Sequence, residues 1–349
     1  MRRGLIARSL VELPDAALDA RLDRVRAAMQ KAQLDALVIY TNNTRTAGVS
    51  WLTGFVPYWS EALLVVPCDG APYLVVALSF RVKTWIERTS RVGEVLHTPR
   101  IGLKAAQQIA AARANAVVGI VDLDGLAAGI VADLREGGRA LTLRDASALF
   151  AALRAKADPA EIALATAAGL IGHRALAGIE GNSLGAIIAG IERQARMLGA
   201  EEIYIAAAPD LERDWRFMRI EGEAALGKSF ALRATIAYKG TWVRLVRTLG
   251  APAIGRQASI EFAQAVAHLP SDRRFAGFRS WLVEGCRTAQ PLDPLMGSRV
   301  NPPTPPPPGA LVSVQGALAI DGCTVLVGAP ALIGAPDEAS SLLVDPSYD

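Results

Sequence analysis

The sequence predicts two domains, an α/β domain over residues 1–152 and an α+β domain over 153–349. Three observations carry this reading. β-rich and helical segments alternate through the first ~150 residues. A strongly signalled helix start then stands at Asp158. Beyond it, two helical stretches precede a series of long apolar runs. With 349 residues, 51% of them hydrophobic and 20% charged, the chain is long enough for two substantial cores, and this composition excludes a disordered chain.

In the first domain, Leu18, Leu22, Val25 and Met29 recur at helical spacing between Asp15 and Gln33, which predicts an amphipathic helix. LDALVIY (34–40) follows, and then the apolar run VSWLTGF (49–55). LLVVP and YLVVAL flank the turn residues Cys68-Asp69-Gly70-Ala71-Pro72 and read as a hairpin. VGEVL (92–96), a helix over 103–113, AVVGIVD (116–122), a helix near 126–136 and ALTL (140–143) complete the alternation.

The second domain opens at LRAKADPAEI. There Asp158 is placed to cap a helix, Pro159 suits its first turn, and Glu161 lies three residues beyond the cap. A second helix is expected from Ser183 to about Leu198. EEIYIAAA, KSFALRATIAYKG and TWVRLVRTLG then read as strands of a sheet covered by these two helices. The extended proline tract PPTPPPP (302–308) cannot donate to a ladder, and it leads into two closing strands, ALVSVQGALAIDG and CTVLVGAPALIG.

Charge and cysteine content exclude several function classes. Thirty-seven Lys and Arg stand against 34 Asp and Glu with no long basic run, so a nucleic-acid partner is not expected. Cys68, Cys286 and Cys323 show no paired spacing, which fits neither a disulfide framework nor a cysteine zinc site, and a reducing cytoplasm is expected. The first 24 residues meet Glu12 and Asp15 before any sustained apolar stretch, unlike a secretory signal. No run reaches the length of a membrane span, so no membrane partner is expected.

The capped helix LRAKADPAEI, the strand pair ending YKGTWVRLVRT and the closing PGALVSVQGALAIDG together resemble the creatinase, prolidase and aminopeptidase P family, over nearly the whole chain. The resemblance implies a smaller N-terminal α/β domain and a C-terminal pita-bread domain. The latter consists of two αβ halves related by approximate symmetry, with the active site in the cleft between them. It also implies a dimer, either a homodimer or a heteromer with a paralogue. In the metallopeptidase branch two metal ions are held by two Asp, one His and two Glu. The family's Gly-Tyr-x-x-Asp-x-Thr-Arg-Thr aligns on residues 240–248 and puts Arg244 at the second Asp. The family's spacing puts Arg233 at the first Asp and Arg216 at the histidine that handles substrate. In the closing strands Gln315 stands where the first Glu belongs, and the second falls on Gly328. Within LVEGCRTAQP (282–291), Cys286 is the positional match for the ligand His.

Arginine offers donors only and stays charged, so this set cannot hold a divalent cation, and neither metal nor cofactor is expected. Three arginines converging in a partly desolvated cleft would repel one another by several kcal/mol unless an anion or local acids compensated. Two readings follow. In the first, a small anionic, carboxylate-bearing molecule is held by Arg216, Arg233 and Arg244 and is turned over without metal, with C–N bond cleavage as the reaction the resemblance suggests. Trp242, Tyr238 and Gln315 would line that site, and Asp214-Trp215-Arg216-Phe217 and Trp242 would supply an aromatic wall. Cys286, with Arg287 beside it, is the candidate nucleophile, and Glu284 and Tyr238 are the candidate proton-transfer groups. In the second, the chain is a non-catalytic homologue serving as a ligand-binding, regulatory or partner subunit, with the arginines neutralised by acids such as Asp210, Glu212, Asp214, Glu221, Glu223 or Glu284. His97, His173 and His268 lie outside the matching positions.

Overall fold

The computed structural model describes residues 8–57, 59–179, 181, 183–220, 222–269, 278–286 and 306–346. The chain divides into two compact units between Ala155 and Lys156, three residues beyond the boundary read from the sequence. Among the described residues, no helix is long and apolar enough to cross a membrane.

The N-terminal unit is built on six strands: β1 (Ala36–Asn42), β2 (Glu61–Pro67), β3 (Tyr73–Val76), β4 (Glu94–His97), β5 (Val117–Val121) and β6 (Thr142–Asp145), in the order β4-β3-β2-β1-β5-β6. β1–β2 and β2–β3 are antiparallel, while the other pairs are parallel. Among the described residues six α-helices accompany them: α1 (Asp15–Lys31), α2 (Ala47–Thr53), α3 (Lys83–Thr89), α4 (Ile101–Ala112), α5 (Ala128–Gly137) and α6 (Ser147–Leu153). Strand residues pack in two sets. Leu37, Ile39, Leu64 and Val66 join Val25, Met29 and Phe150, whereas Val38, Leu63 and Val65 join Ala105, Ile109 and Ile130. Alternation along each strand thus feeds a helical layer on both faces. The run VSWLTGF supplies most of α2, which is buried from Val49 to Thr53.

The C-terminal unit begins with α7 (Pro159–Ala177). Its capping box forms as its residues dictate: Glu161 N–H donates to Asp158 Oδ1 at 3.0 Å, and Asp158 N–H donates to Glu161 Oε2 at 3.3 Å. Next come α8 (Leu184–Met197), capped by Ser183, then β7 (Glu202–Ala208), β8 (Phe230–Tyr238), β9 (Thr241–Leu249), α9 (Pro252–Ala267), β10 (Phe278–Gly285), β11 (Leu311–Ile320), β12 (Cys323–Leu332) and β13 (Ser341–Leu342). The sheet runs β10-β11-β12-β9-β8-β7, with β13 paired to β12. One face packs on helices: Leu232, Ala234, Ile236, Val243 and Leu245 meet α7 and α8, and Val312, Val314, Val325 and Val327 meet α9. This is the pita-bread domain. Neither α9 nor β10 was anticipated from the sequence. Residues 302–305 of the proline tract lie outside the described residues.

Two hairpins of this sheet close in the same way. Lys239 and Gly240 between β8 and β9, and Asp321 and Gly322 between β11 and β12, all have positive φ, at 48° and 79° in the first turn and 49° and 78° in the second. Two such residues in succession make a two-residue turn whose twist matches the flanking strands, and they fix the register of each hairpin.

Candidate functional site

The register of the C-terminal sheet decides which of the singled-out residues meet. Arg233 lies opposite Val246 and Thr235 opposite Arg244 in the β8–β9 ladder. Val246 lies opposite Gly328 across β9–β12, and Gln315 opposite Gly328 across β11–β12. Side chains alternate along strands, so Arg233, Thr235, Arg244, Val246, Ser313, Gln315 and position 328 share the face turned away from the helices. Arg233 and Arg244 are diagonal neighbours on this face, with side-chain stems about 7–8 Å apart. Each is only 2% exposed. The Arg233 guanidinium lies over the Phe217 ring, 5.2 Å from its centroid. Arg244 N–H donates to Ser313 Oγ at 3.0 Å, tying β9 to β11 at the middle of the face.

Arg216 does not join this pair. It sits in the segment between β7 and β8, is 54% exposed, and forms an ion pair with Asp214 at 2.6 Å. Hydrogen bonds from Arg216 hold the Asp214 carboxyl below its ordinary pKa, and the same contact raises that of Arg216. The adjacent Phe217 is buried against Ala206, Ala231 and Val246 while Trp215 packs beside it, so chain alternation sends Arg216 outward. The expectation of three converging arginines is corrected: Arg216 faces away, and of the three only Arg233 and Arg244 share the inner face.

Tyr238 is also displaced from the expected site. It has the parity of Leu232, Ala234 and Ile236 and packs with them in the layer under α7 and α8, at the end of the first hairpin. Trp242 has the parity of Arg244, is buried, and stacks on Tyr204 with centroids 5.8 Å apart and planes 14° apart. Together with Phe217 it supplies part of the expected aromatic wall. Cys286 follows β10, is buried among apolar residues, and places Sγ 3.7 Å from Ser313 Oγ. That setting suits a small hydrophobe with a weak hydrogen bond. The backbone of Glu284 pairs with Ser313. The Glu284 side chain, Glu221 and residues 287–291 lie outside the described residues. Glu223, one of the acids considered as a neutraliser, instead accepts from Ser183 Oγ at 3.0 Å and Gly185 N–H at 3.2 Å at the start of α8.

The C-terminal sheet holds a further buried arginine that the sequence did not single out. Arg247 lies on the helix-facing side of β9, and its Nη1 donates to the Leu176 carbonyl at 3.2 Å near the end of α7. This satisfies a terminal helix carbonyl. His173, one turn earlier on α7, has its pKa pushed below the ordinary 6.5, first by burial and then by the Arg247 charge, against a smaller opposing effect of Asp345.

The inner face does not fit the dinuclear metal centre that the resemblance implies. Arginine cannot coordinate a cation, and a neutral Gln315 stands beside a glycine. Position 328 cannot accept a carboxylate without backbone movement. A Cβ there would lie 2.9 Å from the Val314 carbonyl oxygen, 3.0 Å from Val246 Cγ2 and 3.1 Å from Gln315 Cγ. Among the described residues no three His, Cys, Asp or Glu side chains gather in one place.

Residues 21–156 match the family model of the Creatinase/Prolidase N-terminal domain. No curated protein matches the sequence. The structure is similar to the prolidase of Thermococcus sibiricus, at 15% identity and a TM-score of 0.68, over 95% of this chain and 98% of that one. It is similar to the X-Pro aminopeptidase of Thermotoga maritima, at 12% identity and a TM-score of 0.69, over 93% and 98%. It is also similar to the N-terminal domain of the FACT complex subunit SPT16 from Eremothecium gossypii, at 12% identity and a TM-score of 0.64, over 96% and 97%. Likeness at this level of identity establishes the fold.

Proposed function

We propose that this chain, with a creatinase/prolidase N-terminal domain and the fold of the prolidases, binds a small carboxylate-bearing molecule on the inner face of its C-terminal sheet and acts without metal. The observation that carries the reading is the pair of buried arginines, Arg233 and Arg244, side by side on that face with Gln315 and Ser313. Guanidinium groups match a carboxylate bidentately, and withdrawal from water strengthens the contact. Amino-acid-like ligands suit such a site, and C–N bond cleavage is the reaction class to assay.

A second reading, a non-catalytic binding or partner subunit in a homo- or heteromer, is favoured by one specific observation. Arg216, at the position matched to the substrate-handling histidine, is neutralised by Asp214 instead of facing a ligand. The similarity to a subunit of a named complex gives this reading a precedent in the fold.

A thermal-shift screen of amino acids, acyl-amino acids, other small carboxylates and phosphates tests the binding, because a ligand of the native state raises the melting temperature. A carboxylate-specific rise that Arg244→Gln abolishes is expected. Turnover assays on the stabilising compounds then separate the two readings. Elemental analysis is expected to find no stoichiometric Mn, Zn, Co or Fe, and one bound metal per chain would overturn the metal-free reading.

A further inference from the structure

Strand β7 ends the C-terminal sheet, and among the described residues its outer edge carries one bridge, at Ala207. Ala207 exchanges both backbone hydrogen bonds with Met218, each 2.9 Å, on the side away from β8. In an antiparallel ladder every second residue points its N–H and C=O the same way, so Ile205 and Ile203 present theirs to that outer side. Among the described residues, no strand continues the ladder past the Ala207–Met218 bridge. An edge of this kind is a template for one more strand.

A groove of about 1100 Å³ follows this edge. Ile188 and Met197 of α8 wall one side, Ile220 lies along the other, and Tyr204 is partly exposed within it. Among the described residues its charge is one-sided: Arg193, Arg196, Arg219 and Arg233 line it against one acid, Glu192. Arg196 is committed to the carbonyls of Ala200 and Glu201. Arg193 and Arg219 are exposed on the rim.

We propose that the β7 groove binds an extended acidic peptide segment of a partner protein as an added strand. The peptide backbone pairs with Ile203 and Ile205, its apolar side chains cover the α8 wall, and its carboxylates meet Arg193 and Arg219. Charge selects this occupant over a second copy of the chain, since pairing two β7 edges would bring two arginine-rich grooves together. A small anion would leave the apolar wall and the open edge unused. Arg233 reaches the floor of this groove, but the proposal stands apart from the carboxylate site because its rim contacts are made by other residues.

The test uses the full chain and a fluorescently labelled ten-residue peptide of alternating Val and Glu, followed by polarisation. Saturable binding is expected. It should weaken at least tenfold in the Arg193→Glu/Arg219→Glu double variant, whose side chains are exposed, and when alternate peptide nitrogens are methylated. A Val-Lys peptide should not bind, and Arg244→Gln should leave peptide binding unchanged even where it abolishes the carboxylate thermal shift. Absence of binding, or binding indifferent to the double variant or to N-methylation, overturns the proposal. So does a self-association of the chain that the double variant abolishes, which would identify a second copy as the occupant.

Discussion

The β8–β9 and β11–β12 hairpins of the C-terminal sheet are built alike and furnished differently. Both close through a two-residue turn with φ near +48° and then near +79°, and both direct one set of side chains to helices and the other to the inner face. On that face the first hairpin carries two guanidinium groups, while the second carries a neutral amide and a glycine with no room for a side chain. The scaffold that positions a residue is therefore independent of the chemistry displayed there. A fold shared with peptidases does not bring the peptidase ligand set with it.

The largest expected effect tests the difference between the hairpins in binding. Arg244→Gln should cost the affinity for a stabilising carboxylate about 1.5–3 kcal/mol, the range for a charge-assisted hydrogen bond. Gln315→Ala should cost less. Isothermal titration of both variants with the same carboxylate checks the order, and a greater loss from Gln315→Ala would move the anchor to the second hairpin. Next, Gly328→Val should destabilise the fold by about 1–3 kcal/mol through overpacking against the Val314 carbonyl and Val246. Urea unfolding measures this, and a neutral result would mean that position 328 has room for a larger group.

Smaller effects sharpen the likeness of the two turns. Gly240→Ala and Gly322→Ala should each cost about 1–2 kcal/mol, the penalty for a side chain in left-handed backbone. Unequal losses in parallel unfolding curves would break the equivalence. The smallest effect concerns pH. Because the pKa of His173 is lower in the folded chain than its ordinary 6.5, the unfolded chain takes up its proton first. Its neutral form contributes stability above pH 6.5, and that contribution is lost as the pH falls through the window below 6.5 toward the folded-state pKa. Melting temperatures of wild type and His173→Gln should therefore differ less in their pH slope above 7 than between 6.5 and 5. Parallel slopes throughout would remove this role.

Much of the fold was legible because local chemistry and tertiary structure agree. Asp158, Pro159 and Glu161 announce α7 through groups that interact within one helical turn. The strands of both hairpins show in their apolar runs. VSWLTGF is buried on every side from Val49 to Thr53, so no periodicity marks it as a helix. α9 starts at Pro252 without a side-chain cap and offered no comparable start signal.

At the site, counting along strands placed Arg233 and Arg244 on adjacent strands, and parity alone would have sent Tyr238 to the opposite face. Arg216 was misread because spacing was carried across a loop, where an acid two residues away competes more strongly than a distant cleft. The β7 groove could not be read from sequence. It joins α8, an edge strand and residues 219–220, and only folding brings them together.

The stacking of Trp242 on Tyr204 equips the molecule with its own optical reporter. Tyr204 borders the β7 groove, while Trp242 sits two residues before Arg244 on the same face. At 5.8 Å, light absorbed by the phenol passes efficiently to the indole. A ligand that changes the polarity around the stacked pair therefore alters the emission of Trp242. The difference spectrum between the natural chain and Trp242→Phe isolates that signal from the other tryptophans, so occupancy of the groove can be followed in solution without a label on the protein.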